Sequence, residues 1–277
     1  MRPALPCLLV ALALCGCTSP QGPLPPDASS DAERFEGDGF TLYVEPGAMD
    51  LAAREGLLEE LRTARERLID WLGPALSPGD FRAQGTPRAH CPPNWEFGPR
   101  PTIPPVDVVV RRNAIRCHAD GEGITLAAPH LSVHHATHEL VHFLAGSSWH
   151  PVDEGLAVYL TERLRGGARG VPLRIRARVY RDLNQRGTLD PRVLQHEGMS
   201  RRDYDVAGAF VGWLIESYGK AKFFELYSGA ERNYYGVYRM GERDLLDRFW
   251  RSIASLQVRG NSDYYRFQAL LTDLDGE

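Results

Sequence analysis

The stretch SVHHATHELVHFLAG (Ser132–Gly146) combines the pattern of a helix with the pattern of a metal site. Serine favours the N-cap of a helix and glycine its C-terminal end, so the sequence predicts a helix over 132–145. Within it, HELVH (His138–His142) sets two histidines four residues apart, on one helical face, where both rings can reach one ion. Glu139 lies between them and is expected to reach water on that ion instead of the ion itself.

A second predicted helix begins at Pro151, a residue suited to the first helical position, and runs to about residue 164. It carries Glu154, twelve residues after the second histidine. A catalytic zinc takes three protein ligands and keeps a fourth position for water, so Glu154 is the expected third ligand and Asp153 the next candidate. Gly155 removes a side chain where these two helices are expected to approach closely.

Two further histidines precede the motif. His134 shares a stripe with His138 and His142, but the outer two of these rings are about 12 Å apart along the helix axis. Such a stripe cannot close one tetrahedral site, so His134 and His135 are expected to support the ligands. Structural or surface roles are expected for the other histidines: His90, His118, His130, His150 and His196.

These features resemble the gluzincin peptidases, thermolysin-like zinc enzymes in which a second helix carries Glu-Gly-x-Ala after HExxH. EGLA (Glu154–Ala157) matches that pattern. YDVAGAFVGWL (Tyr204–Leu214) is similar to the helix that follows the site in peptidase-MA-type domains. The chain departs from the family pattern at one position of this second helix. Val158 stands four residues after Glu154, where an acidic residue would be expected.

The resemblance implies zinc-dependent hydrolysis of peptide bonds in a peptide or protein substrate. One Zn²⁺ would be held by His138, His142 and Glu154, with Glu139 as the general base. Tyr204 would donate a hydrogen bond to the carbonyl oxygen as it gains charge. The alternative is a catalytically silent zinc-binding surface lipoprotein that acts as a binding module, and a third possibility is that these are ordinary helix residues.

Strand patterns precede the motif at 39–44, 106–110 and 121–128, with a helix predicted over Leu51–Leu72. From Leu173 onward the pattern is almost wholly helical. The prediction is an α+β class with a small N-terminal mixed sheet, and the resemblance implies a thermolysin-like zincin fold. The subdomain with both zinc helices is expected over 35–170 and a helical subdomain over 171–277.

The segment Gly123–Ala128 is predicted to be the outer strand of this sheet. Its residues alternate, with Ile124 and Leu126 on one face. An outer strand has unpaired backbone groups, so it could bind an extended peptide substrate by strand addition.

The N-terminus has the features of an export signal. Arg2 provides a positive charge, and Leu8–Leu14 forms an apolar run too short to span a bilayer. LCGC (Leu14–Cys17) resembles the bacterial lipoprotein box, which implies a signal peptide over 1–16 and lipidation of Cys17. The alternative is a plain signal peptide that is cleaved nearby.

The segment 17–34 is rich in Pro, Ser, Gly and Ala and is predicted to be a disordered tether. The expected location is therefore outside the cytoplasm, anchored to a bacterial membrane through the lipid alone. Thr18 after the lipidated cysteine, in place of Asp, favours the outer membrane.

Cys7 and Cys15 lie in the predicted signal peptide, and Cys17 is the predicted lipidation site. Cys91 and Cys117 are therefore the cysteines that remain available in the mature protein. In an oxidising compartment they are expected to form a disulfide, and a pair of metal ligands is the competing interpretation. The formal net charge of the 277-residue chain is −4, and no block of Lys and Arg stands out. This charge distribution gives no support for nucleic-acid binding. We expect the protein to be a monomer.

Overall fold

The computed structural model describes residues 31–73, 103, 105–146, 150–165, 170–183, 199–228 and 233–274. Its sheet has five strands in the order β1-β2-β3-β5-β4. They are β1 (Glu33–Gly37), β2 (Phe40–Val44), β3 (Val106–Arg111), β4 (His118–Ala119) and β5 (Gly123–Ala127). The first strand begins two residues inside the segment that the sequence predicted as a tether through residue 34.

The sheet is mixed, with three parallel strands in the centre. β2 pairs with β3 and β3 with β5 in parallel, whereas β1 and β4 are antiparallel to their neighbours. One face carries side chains that are fully buried, among them Leu42, Val108, Val110 and Leu126. This face forms part of the hydrophobic core.

The prediction that Gly123–Ala128 is the outer strand is wrong. Asp120 accepts hydrogen bonds from the backbone amides of Glu122 and Gly123 at 2.9 and 3.0 Å, which turns the chain back on itself. As a result β4 pairs with β5 opposite Ile124 and lies outside it in the sheet. Ile124 and Leu126 are only 2% and 0% exposed, so their side chains belong to the core and not to a substrate edge.

Nine α-helices are found in the described part of the chain. They are α1 (Leu51–Leu72), α2 (Val133–Ala145), α3 (His150–Arg165), α4 (Leu173–Asp182), α5 (Arg201–Tyr218), α6 (Lys220–Tyr227), α7 (Tyr234–Tyr238), α8 (Glu242–Ala254) and α9 (Ser262–Leu274). The predicted helix over Leu51–Leu72 is confirmed, as is the almost wholly helical pattern of the later chain. The chain is therefore a mixed α/β protein with a small sheet near its N-terminus. Within the described residues, no helix is both long and apolar enough to cross a membrane.

The crossing of α3 and α5 is unusually close because glycines line it. A Cβ added to Gly155 of α3 would lie 2.7 Å from the carbonyl oxygen of Ala207 in α5. A Cβ on Gly212 of α5 would lie 2.7 Å from the ring of Tyr159 in α3. The expected reason for Gly155 is thus corrected: the residue makes room for α5 instead of for the helix that carries the two histidines.

Candidate metal centre

The helix α2 carries the two histidines, His138 near its middle and His142 in its last turn. Ser132 caps its N-terminus by accepting a hydrogen bond from the His135 amide, and the Gly146 amide at the other end donates to the His142 carbonyl at 2.8 Å. Both predicted caps are therefore confirmed. The rings of His138 and His142 lie on one face, with centroids 4.7 Å apart.

Glu154 of α3 joins the two histidines in a compact triangle. Its Oε2 lies 3.0 Å from Nε2 of His138 and 3.3 Å from Nε2 of His142, and the two Nε2 atoms are 3.0 Å apart. Two tetrahedral ligands at the usual zinc distances of 2.0–2.1 Å are separated by about 3.3 Å. The three side chains therefore form a possible metal-binding site, and both their chemistry and their spacing fit zinc.

Burial and charge shift the pKa values of His138 and Glu154 towards the protonation states that a metal requires. Burial lowers the pKa of His138, which favours the neutral imidazole even though Glu154 opposes this shift. Burial alone would raise the pKa of Glu154, but the charge of His142 and the hydrogen bonds of both histidines outweigh it. The pKa of Glu154 therefore lies far below its ordinary value, and the side chain is a carboxylate.

The triangle has one side that faces solvent. The side chains of Glu154 and His142 are 2% and 6% exposed, whereas that of His138 is 14% exposed. A fourth ligand or a substrate would therefore approach from the His138 side. Tyr204, in the first turn of α5, is half-buried on this side, with its ring centroid 6.4 Å from that of His138.

Glu139 is fully buried in α2, at 0% exposure. It follows directly after His138, so α2 carries an acidic side chain next in sequence to one of the two histidines. The structure thus brings His138, His142 and Glu154 together, and it sets Tyr204 next to His138.

Asp153 and Tyr227 form a second layer that sequence reasoning did not identify. Oδ2 of Asp153 lies 3.5 Å from Nδ1 of His142, on the side of the ring away from the triangle. Oδ1 of the same carboxylate accepts a hydrogen bond from the Tyr227 hydroxyl at 2.7 Å. The sequence indicates Asp153 only as an alternative third ligand, and no sequence signal connects Tyr227 of α6 with the site.

The other predicted residues lie elsewhere. His135 lies in the first turn of α2, with its Nδ1 3.1 Å from the hydroxyl of the N-cap residue Ser132. His134 lines a separate cavity of about 180 Å³ together with Arg165, and burial lowers its pKa. Cys17, Cys91, His90 and His196 and the side chains of His130 and His150 lie outside the described residues.

Cys117 is buried, and its Sγ accepts a hydrogen bond from the Ala127 amide at 3.3 Å. Because Cys91 lies outside the described residues, the disulfide stays a prediction.

A larger cavity of about 400 Å³ covers the other face of the sheet, where Asp107, Thr125 and His118 contribute to its lining. The three metal-site residues do not line this cavity.

Comparison with protein-family models, with curated proteins and with solved structures gives no match to this chain.

Proposed function

We propose that the chain is a zinc-dependent peptidase of the gluzincin type, with a thermolysin-like arrangement of its two ligand helices. The observation that carries this proposal is the triangle of His138, His142 and Glu154, whose 3.0–3.3 Å edges suit a tetrahedral ion. Three ligands leave one position for water or substrate, which is typical of catalytic zinc and differs from closed structural sites.

A zinc ion held there would polarise the carbonyl of a peptide bond and lower the pKa of water towards about 7. Glu139 takes a proton from the attacking water and passes it to the leaving amine, a role that requires a carboxylate that is not itself a ligand. Tyr204 donates its hydroxyl proton in a hydrogen bond to the carbonyl oxygen as that oxygen gains charge. Its position beside the most exposed ligand supports this role.

The substitution Glu139→Gln tests the proposal. An amide cannot accept the proton, so turnover of a mixed peptide library should be lost while bound zinc, measured by atomic absorption, stays at one ion per chain. A parent protein that holds zinc but cleaves no peptide would instead favour the silent binding module. A parent protein without zinc would contradict both functions.

The same proposal includes an exported protein that is anchored to a bacterial membrane through a lipid on Cys17. Its support is the sequence LCGC (Leu14–Cys17) behind a short apolar run. Cys17→Ala should move the protein from the membrane fraction to the soluble fraction, with Cys7→Ala as the control. Full membrane retention of the Cys17 variant would show that the anchor lies elsewhere.

The disulfide between Cys91 and Cys117 is part of this proposal because an exported protein folds in an oxidising compartment. Thiol titration of the folded mature protein should detect no free thiol before reduction. Two titratable thiols under oxidising conditions would contradict the bond.

A further inference from the structure

A buried chain of contacts runs from α6 to the metal centre. The Tyr227 hydroxyl donates to Oδ1 of Asp153 at 2.7 Å, and Oδ2 of Asp153 lies 3.5 Å from Nδ1 of His142. The three residues are only 4%, 7% and 5% exposed. Water therefore has little access to these polar groups, and each of them depends on its protein neighbours.

His142 uses its two ring nitrogens in opposite directions. Nε2 faces the triangle, 3.3 Å from the Glu154 carboxylate, whereas Nδ1 faces Asp153. A histidine ligand generally donates its second ring N–H to a carboxylate or carbonyl, which fixes the tautomer and the ring orientation. Asp153 presents a carboxylate oxygen to Nδ1 of His142 at 3.5 Å, the contact through which it would orient this ring.

Tyr227 restricts how Asp153 can be oriented. Because one carboxylate oxygen is engaged by the tyrosine hydroxyl, the other is left facing the histidine. The same hydroxyl lies 3.3 Å from the carbonyl oxygen of Gly146, the residue that ends α2. Tyr227 thus contacts the end of the first ligand helix and the first turn of the second.

We propose that Tyr227 is a positioning residue that acts through Asp153 on His142, so that α6 sets the zinc affinity of the centre. This inference rests on the proposed zinc site and adds a determinant from outside the two ligand helices. The competing role is packing alone, since the Tyr227 ring also lies against those of Phe223 and Phe224.

The substitution Tyr227→Phe separates the two roles because it keeps the ring and removes only the hydroxyl. In the full chain, zinc affinity measured by competition with a chromophoric chelator should fall about tenfold, the lower end of the range for such outer contacts. The matched control is Tyr180→Phe, which also removes a buried hydroxyl bonded to a carboxylate, that of Asp205 at 2.8 Å. The control should leave zinc affinity unchanged.

A double-mutant cycle provides the readout that packing alone would not change. Asp153→Ala should weaken zinc binding by about 10–100-fold, and adding Tyr227→Phe should cost nothing more if the tyrosine acts through the aspartate. Additive losses, or a Tyr227→Phe affinity equal to that of the parent, would overturn the inference while leaving the zinc site intact. If Asp153→Ala does not fold, the comparison of the two tyrosine variants decides the outcome. A parent protein that binds no zinc would overturn the proposed function itself.

Discussion

The two sides of α3 differ in the interactions that they make with neighbouring helices. One side carries Asp153 and Glu154, whose carboxylates meet the histidines of α2 at 3.0–3.5 Å. The other side packs on α5, where Gly155 faces the α5 backbone and the ring of Tyr159 lies against Gly212. The first contact is defined by the chemistry of charged atoms, and the second is defined by shape.

This difference explains why α5 matters to a centre to which it gives no ligand. Close packing at the glycines fixes how near α5 can come to α3. Tyr204 sits on the first turn of α5, so the same packing sets how far its ring lies from His138. Changes to the α2 side should therefore alter metal binding, whereas changes to the α5 side should alter stability or turnover.

The largest effect on stability is expected from loss of the ion pairs that join α3, α4 and α5. Arg176 of α4 is 2% exposed and bridges Glu162 of α3 and Asp205 of α5, the latter at 2.5 Å. Arg176→Ala would leave the buried Asp205 and the partly buried Glu162 without this cation and should cost about 3–5 kcal/mol in free energy of unfolding, measured by urea denaturation. Arg62→Ala, which breaks only exposed pairs on α1, is the control and should have a far smaller effect. Equal losses in the two variants would contradict the role of the buried bridge.

The next effect concerns the ligand itself. Glu154→Ala removes one corner of the triangle, so zinc affinity should fall by more than the roughly 100-fold upper range known for outer contacts. Glu162→Gln lies on the same helix and also disturbs an ion-paired carboxylate, but it should change stability and leave zinc affinity near that of the parent. Chelator competition measures both variants. An unchanged affinity in Glu154→Ala would exclude it as the third ligand.

Tyr204 tests whether the α5 side contributes to chemistry. Tyr204→Phe should lower the catalytic rate constant at least tenfold, because removal of a donor to a developing oxyanion costs about 10²–10³ in turnover elsewhere. Zinc content and substrate affinity should stay near those of the parent. Tyr218→Phe, at the far end of α5 against Trp213 and Tyr238, should keep full activity. A rate within twofold of the parent in Tyr204→Phe would remove the tyrosine from the mechanism.

The sequence was most informative where a residue type at a given spacing has a well-defined structural or chemical role. Ser132 and Gly146 mark the ends of α2 as predicted, and the i, i+4 spacing brings His138 and His142 together. Glu154 was predicted because a catalytic zinc would require a third ligand at a reachable position, and its carboxylate does lie against both histidines. The caps and the i, i+4 spacing are local constraints, and the requirement for a third ligand follows from metal chemistry.

The sequence failed where the structure depends on distant partners. β4 has only two residues, too few to show an alternating pattern, so β5 was wrongly taken as the outer strand. Gly155 was recognised as a close-approach residue, but its partner helix was wrong because helix packing depends on the whole core. Tyr227 lies 74 positions from Asp153, and nothing in the spacing relates the two.

The smallest effect is expected from a single methyl group on the α5 side. Gly155→Ala would set its Cβ 2.7 Å from the Ala207 carbonyl oxygen and from Cγ2 of Val211, an overpacking that costs about 1–3 kcal/mol. Alanine also favours the helix by about 1 kcal/mol over glycine, so the net loss in free energy of unfolding should be about 1 kcal/mol. Gly56 of α1 has no atom within 4 Å of its added Cβ, so Gly56→Ala shows the helix preference alone and should stabilise the protein by about 0.5–1 kcal/mol. Urea denaturation of both variants gives the difference, and stabilisation by Gly155→Ala equal to that of the control would mean that α3 and α5 do not approach this closely.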